Sequence, residues 1–323
     1  MRSLLLVGIA WLAAALSMDG FAQTYPSRPI RLIVPFPPGG TPDSNARTLT
    51  GPMERSLGQN IVVDNRAGAN GIIGMETVAQ AAPDGYTFLY TTVAFIINPA
   101  VYKRLPFDVI RDFAPVTNVA IGLGYVIVVN ASVPAKSVKE LIALARNPGK
   151  PLGYGTSGVG NPQHIAGELF NVRAGTTLMH VPYKGAAQAM IALLGGEVQA
   201  MFMPPTSALP HIKSGKLRIL AYTAAKRWPA MPELPTVAEA GVPGYQFDGA
   251  WHGIFAPAKT PGAILARFQS EVRRAIKTPQ AREFLVAGGF EPIGDSPDEF
   301  RKFVAAELRK WAELAKIAQL KPG

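Results

Sequence analysis

A short device that occurs twice constrains this chain more than any other feature. An apolar strand candidate, Ile30 to Val34, runs into Pro35-Phe36-Pro37-Pro38-Gly39-Gly40 and then into the helix-start signature Thr41-Pro42-Asp43. Thr41 is placed to cap the helix, and Pro42 suits a first turn whose N–H groups have no partner in any case. Further along, the strand candidate Leu152 to Gly155 meets Thr156-Ser157-Gly158-Val159-Gly160-Asn161-Pro162 and then a helix carrying Ile165, Leu169 and Phe170. Both copies read glycine, cap, proline. After the first copy, Ala46, Leu49, Met53 and Leu57 recur at helical spacing and Ile61 to Val63 forms a second strand. Gly68 to Gly74 breaks the chain before a helix through Met75, Val78 and Ala79, and Tyr86 to Tyr90 forms a third strand. Such alternation predicts a parallel sheet covered on both faces, with ligands bound beyond the carboxyl ends of its strands. The repetition predicts two similar α/β lobes, each offering a glycine-rich strand-to-helix turn.

The chain is long enough for both. Its 323 residues open with Arg2, an apolar run from Leu4 to Leu16 and the small-residue site Gly20-Phe21-Ala22, the pattern of a secretory signal. The run breaks at Ser17-Met18-Asp19, short of the roughly 20 apolar residues that span a bilayer, so cleavage is expected rather than anchoring. Residues 1–22 are therefore read as a signal peptide, and the remaining chain of about 300 residues fills two lobes of ordinary domain size. Lobe one is expected at 23–124 plus 250–323 and lobe two at 125–249, with Tyr125 to Asn130 and Phe247 to Ala256 as crossing strands. Ser137 to Ala145 reads as a helix. So do two C-terminal runs, one with Phe268, Val272 and Ile276 and one with Phe303, Leu308, Trp311 and Leu314.

Composition removes several functions. The chain has no cysteine, which excludes disulfides, thiolate metal sites, a cysteine nucleophile and a cysteine-linked lipid. The net charge of +10 favours anionic partners. Nucleic acid is not among them, because Lys226-Arg227, Arg273-Arg274 and Arg301-Lys302 are short and scattered where a phosphate backbone needs a cluster. Catalysis finds no support either. Gly155-Thr156-Ser157-Gly158-Val159 lacks the last glycine of a nucleophile elbow, and His164 serves a capping or packing role better than that of a base for Ser157. No P-loop lysine follows Gly39-Gly40. His164, His180, His211 and His252 are too dispersed for a metal set, so neither metal nor cofactor is expected.

What two such turns can do is hold an anion. A glycine-rich strand-to-helix turn presents unpaired N–H groups at the positive end of a helix dipole. Each terminus contributes about 0.3–1 kcal/mol, and each hydrogen bond to a charged acceptor roughly 1.5–3 kcal/mol. The first turn offers Phe36 to Thr41 and the second Thr156 to Asn161, with the Thr156 and Ser157 hydroxyls as further donors. The competing reading is two ordinary turns; the repetition favours the anion site.

With both loops in view, further stretches fall into place: Val34-Pro35-Phe36-Pro37-Pro38-Gly39-Gly40, Asn65-Arg66-Ala67-Gly68-Ala69, Asp84-Gly85-Tyr86-Thr87, Gly155-Thr156-Ser157-Gly158, Val181-Pro182-Tyr183-Lys184-Gly185 and Pro235-Thr236-Val237-Ala238-Glu239-Ala240-Gly241. From about Tyr25 to Leu320 the chain resembles the substrate-binding receptors of tripartite tricarboxylate transporters, the Bug family. The resemblance implies a type II periplasmic-binding-protein fold, two α/β lobes joined by crossing strands with a ligand cleft between them. It implies a non-enzymatic protein of the periplasm, expected to be monomeric, that binds a small organic carboxylate and has a large and a small membrane subunit as partners. A receptor that presents its carboxylate to a membrane signalling partner is the alternative.

The resemblance also implies site residues: Phe36, Pro38, Gly39, Gly40, Thr41 and Asp43 from the first loop, and Thr156, Ser157, Gly158, Gly160, Asn161 and His164 from the second. Thr92, Phe95, Tyr183, Met203, Pro204 and Trp251 complete the set. Some positions depart from the family pattern. Met203-Pro204 stands where many relatives carry an aspartate after the position of Phe202, Phe95 where a small or polar residue is frequent, and Ala67 where a proline is. Lys184 is either a partner for a second carboxylate or a surface lysine. The distal pocket is thus expected to be neutral and partly apolar, with Phe36, Phe95 and Trp251 as aromatic walls, and to favour aromatic or aliphatic carboxylates over amino acids. Met203 and Trp251 have core packing as their alternative.

N-terminal sequencing of protein recovered from the periplasm should start at Gln23. A chain that still starts at Met1, or that stays in the membrane fraction, contradicts the signal reading.

Overall fold

The computed structural model describes residues 25–147, 149 and 151–317; the expected signal peptide and its cleavage site lie outside them. Along the chain run β1 (Ile30–Val34), α1 (Thr41–Leu57), β2 (Ile61–Asn65), a 3-10 turn (Ala69–Gly71), α2 (Ile72–Ala79), β3 (Thr87–Thr92), α3 (Ala94–Val101) and β4 (Phe113–Gly122). The second lobe holds β5 (Val126–Asn130), α4 (Val138–Ala145), β6 (Gly153–Thr156), α5 (Pro162–Ala174), β7 (Met179–Pro182), α6 (Ala186–Gly195), β8 (Ala200–Met203), α7 (Pro205–Lys213) and β9 (Leu217–Tyr222). The chain then returns through β10 (Trp251–Pro257), α8 (Gly262–Ala275), α9 (Pro279–Ala287), β11 (Phe290–Pro292) and α10 (Pro297–Ile317).

Two sheets result, of six strands in the order β11-β4-β10-β3-β1-β2 and of five in the order β7-β6-β8-β5-β9. Neither is purely parallel, which corrects the expectation. β1 pairs in parallel with β2 and β3, and β6 with β7 and β8. β10 runs antiparallel to β3 and β4, and β5 to β8 and β9, because these strands carry the chain out of one sheet and into the other. The crossings themselves are irregular, at 123–125 and in the stretch up to Ala250, so Phe247–Ala250 is not part of β10.

Alternating side chains of one strand serve opposite faces. In β1, Ile30, Leu32 and Val34 pack with Leu49 and Met53 of α1 and Phe268 and Val272 of α8, where Phe268 stacks on Phe88 at 3.8 Å. Ile33 turns to the other face with Met75, Val78 and Ile97. That second cluster continues without a break into Ile127, Ile165, Phe170 and Phe202 of the other lobe, and α10 packs on α3, β4 and α5. Among the described residues no helix is long and apolar enough to cross a membrane.

Packing of α5 on its sheet depends on Gly167. A Cβ there would lie 2.2 Å from Cε2 of Tyr154, whose hydroxyl is tied to Glu168 and to the carbonyl of His164. Alanine in a helix interior normally gains about 1 kcal/mol over glycine, whereas overpacking a core costs about 1–3 kcal/mol. Gly167→Ala should therefore lower the urea midpoint. Gly51→Ala on α1, where the nearest atom is the end of Arg55 at 3.7 Å, should raise it. Equal shifts of the same sign would contradict this.

Candidate ligand-binding cleft

The first loop is built around a buried carboxylate. Asp43 Oδ2 accepts from the N–H of Gly39 at 2.9 Å, and Oδ1 accepts from Asn65 Nδ2 at 2.9 Å and Arg47 Nε at 3.0 Å. Burial alone would raise its pKa. The bonds from Arg47, Gly39 and Asn65 outweigh burial and hold it below the usual carboxylate range, so Asp43 stays ionised. Two expectations change here. The N–H of Gly39 is spent inward, and Asp43 fixes the loop from behind. The cap is Gly40 and Thr41 is already helical, with no side chain bonded to the helix start. Glycine at 39 answers to the backbone, since its φ is +78° while a Cβ would meet nothing within 4 Å. Pro38, Gly39 and Thr41 are exposed at the crest, Gly40 is partly so, and Phe36 is half-buried against both cores of its lobe.

The second loop does carry the expected cap: Asn161 Oδ1 accepts from His164 N at 3.0 Å, ahead of Pro162. Most of its other donors also turn inward. Ser157 N–H bonds Gln163 Oε1 at 2.9 Å, and Gly160 N–H bonds His164 Nδ1 at 3.1 Å. Thr156 is fully buried, its hydroxyl donating to Gly158 O at 3.0 Å and bonded to His180 Nε2 at 2.7 Å, so the expected extra donor is not offered to the cleft. Ser157 differs. Its Oγ accepts from Asn161 Nδ2 at 2.8 Å, which leaves the hydroxyl proton free to point elsewhere. With His164 Nδ1 bonded to Gly160, the serine and histidine do not form a nucleophile–base pair. Gly160, at φ +75°, sits where a Cβ would come 2.8 Å from Val101 of the other lobe.

The remaining candidates divide. Phe95 is completely buried, edge-on to Phe113 and 4.3 Å from the Phe255 ring. Trp251 is buried against Phe300 and Phe303, with Nε1 donating to Glu307. Neither ring walls the cleft, because both are buried in the apolar core. Met203 likewise packs with Val126, Met201 and Ala208 in a core. Thr92 accepts from the N–H of Ala94 at 3.2 Å. Tyr183 extends the pairing of β7 with β6 through its N–H to Thr156 O and bonds Glu197 through its hydroxyl. Gly39, Thr41 and Pro204 do meet, lining a cavity of about 320 Å³ between the lobes together with Ser44, Asn45, Thr206, Ser207, Phe284, Ala287 and Gly288. The second-loop residues do not reach this cavity. The Thr206 hydroxyl closes one side of it by donating to Gly288 O of the other lobe at 3.1 Å.

Residues 45–320 match the family model described as tripartite tricarboxylate transporter family receptor. The chain belongs to this family. The receptor is 35% identical to protein BugT of Bordetella pertussis over 98% of its own length and 97% of BugT. Among solved structures, a protein of R. palustris determined with adipate is 36% identical, with a TM-score of 0.85 over 93% of this chain and all of that one. MatC of Rhodopseudomonas palustris, with bound malate, is 30% identical, with a TM-score of 0.82 over 90% of this chain and all of MatC. Both span the two lobes and establish the type II binding-protein architecture. Sequence reasoning missed the cavity side chains Ser44, Asn45, Thr206, Ser207 and Phe284. Only the helix start at Pro205, one residue past the noted Met203-Pro204 pair, hinted at two of them.

Behind the cleft lie two buried imidazoles, His164 and His252, and a half-buried one, His180. His164 and His180 stack at 3.8 Å, and His252 meets Asn45 Nδ2 at 3.0 Å and Tyr90 Oη at 3.1 Å. Burial holds His164 down to about 4 and His252 to about 3; burial and then the neighbouring His164 hold His180 to about 3. Below the unfolded value of about 6.5, only the unfolded chain takes up these protons. Stability should thus be full above that pH and fall toward pH 4, by up to about 1.4 kcal/mol per pH unit for each histidine. Urea midpoints at pH 7.5, 6 and 5 check this, and His180→Gln should flatten the slope; pH-independent midpoints would contradict it.

Proposed function

We propose that the receptor is exported to the periplasm, captures a small organic carboxylate between its lobes and delivers it to the large and small membrane subunits of a tripartite transporter. Lobe one comprises 23–124 and 250–323, lobe two comprises 125–249, and the protein acts as a monomer without catalysis. The observation that carries this reading is the likeness, over both lobes, to two structures that hold adipate and malate.

The chemistry of the loops agrees. The helix α1 starts beneath Gly40 without a side-chain cap, which leaves its first-turn N–H groups and dipole to an anion. Ser157 has a proton to give, and Asn161 holds its oxygen in place. Asp43 is already matched by Arg47 and Asn65, so it adds rigidity to the loop with little bare charge to repel a carboxylate. Selectivity for an uncharged or anionic body over an ammonium follows from the cavity lining, which includes Pro204 and no carboxylate.

Calorimetry with dicarboxylates on the mature protein tests the reading. Removing a donor to a charged acceptor costs about 1.5–3 kcal/mol, so Ser157→Ala should weaken binding about tenfold to a hundredfold while the protein stays folded. Unchanged affinity in the folded variant would remove Ser157 from the grip.

A further inference from the structure

Resting on the proposed delivery role, we infer that a groove on the flank of lobe two, between the start of α4 and residues 233–240, is where the receptor docks onto an acidic segment of the transporter's membrane subunits. β9 is an edge strand of its sheet, and only its end is covered. Tyr222 N–H bonds Pro235 O at 2.9 Å and Val237 N–H bonds Tyr222 O at 2.8 Å, a parallel pairing confined to Tyr222 and Thr236 among the described residues. Beside it opens a groove of about 460 Å³. Its lining is apolar at Ile219, Leu220, Leu234 and Pro235, while Lys136 and Lys139 enter from the α4 side and Glu233 and Glu239 from the other segment. The groove shares no residue with the cavity between the lobes. It is built in part by the stretch Pro235 to Gly241, which ligand binding leaves unused.

The groove is left positive because the carboxylates around it are spent inside the protein. Glu239 accepts from Thr236 N–H and from Arg227 Nε, both at 2.9 Å, and its own N–H bonds the Thr236 hydroxyl in a reciprocal cap. Glu140 turns back to the N–H of Lys136. Among the described residues Lys136, Lys139, Lys213, Lys216 and Arg218 form no ion pair. They stand in one patch. Ala131 N–H bonds Lys216 O at 3.0 Å, and the Arg218 guanidinium donates to Val133 O and Ala135 O, next to Lys136. Against these cations the groove sets one carboxylate without an ion pair, that of Glu233. The stem of Lys139 runs past Gly241, where a Cβ would come 3.3 Å from its Cε, so apolar packing carries the ammonium to the rim. An apolar floor beside unpaired cations fits an extended polypeptide that seats an apolar side chain and sets its carboxylates against Lys136 and Lys139. A flat lipid surface would reach the lysines and leave the floor empty. Charges at such a rim act chiefly on the rate of association and on its salt dependence.

Biolayer interferometry of the mature protein tests this against nanodiscs that hold the large and small membrane subunits, with empty nanodiscs of the same phosphatidylethanolamine and phosphatidylglycerol mixture beside them. The double reversal Lys136→Glu and Lys139→Glu should slow association at least about tenfold at low salt and flatten its salt dependence, while the urea midpoint stays near that of wild type. The neutral pair Lys136→Gln and Lys139→Gln should lie between the two, and Glu233→Lys should associate no more slowly than wild type. Reversal of two exposed lysines on lobe one, Lys277→Glu and Lys302→Glu, should change the rate less than about threefold. Association of the folded double reversal at the wild-type rate overturns the docking surface and leaves delivery standing. Slower association of Glu233→Lys, an equal loss from the lobe-one pair, or binding to empty nanodiscs that depends on Lys136 and Lys139 does the same. Failure of the wild type to bind the loaded nanodiscs overturns delivery itself and the docking surface with it.

Discussion

The two segments that cross between the lobes are tied together by one residue, Thr223. Its hydroxyl accepts from the N–H of Tyr125 at 2.6 Å and donates to Phe247 O at 2.8 Å, while its own N–H and C=O bond Tyr125 and Phe247 at 2.8 Å each. The outgoing and returning segments thus lie side by side although more than a hundred residues separate them. Close by, Glu307 of α10 accepts from the indoles of both Trp251 and Trp311, and Trp311 packs edge-on to Phe247. Removing a shared acceptor would leave two buried donors unpaired, the costliest way to lose a hydrogen bond. A continuous apolar core on one side and a cleft on the other follow from this placement. Across the cleft the lobes also touch through small contacts such as Thr206 with Gly288 and Gly160 with Val101.

Within that frame the two glycine loops are rigid for different reasons. The first is fixed by an ionised carboxylate that faces into the loop, the second by a chain of neutral bonds from Asn161 through Ser157 and from Gly160 through His164. Rigidity matters more here than the number of donors, because a loop ordered before the ligand arrives does not spend binding energy on ordering. It also explains why glycine and proline crowd these turns, and why so few backbone N–H groups remain for a ligand.

The devices set by local chemistry were the ones legible in the sequence. Glycine, cap and proline mark the starts of α1 and α5, and the apolar periods of α1, α8 and α10 locate the cores. Pairing direction was not legible, because β10 and β5 turn antiparallel through contacts with strands far away in the chain. The same holds for the ring of Phe95, which is an equally good cavity wall or core residue until Phe113 and Phe255 close over it. The cavity itself draws on α1, α7 and α9, which no local pattern links. One error was local and instructive: Thr41 has the side chain of a cap, but Gly40 takes the position, and Asp43 bonds the loop in its place.

A crystal structure of the mature protein with a bound organic acid measures the central claim directly. One carboxylate should lie between the lobes within hydrogen-bonding distance of Ser157 Oγ, with the far end of the molecule directed toward Thr206 and Phe284. A ligand outside the cleft, or one that places an ammonium at Ser157, would contradict it.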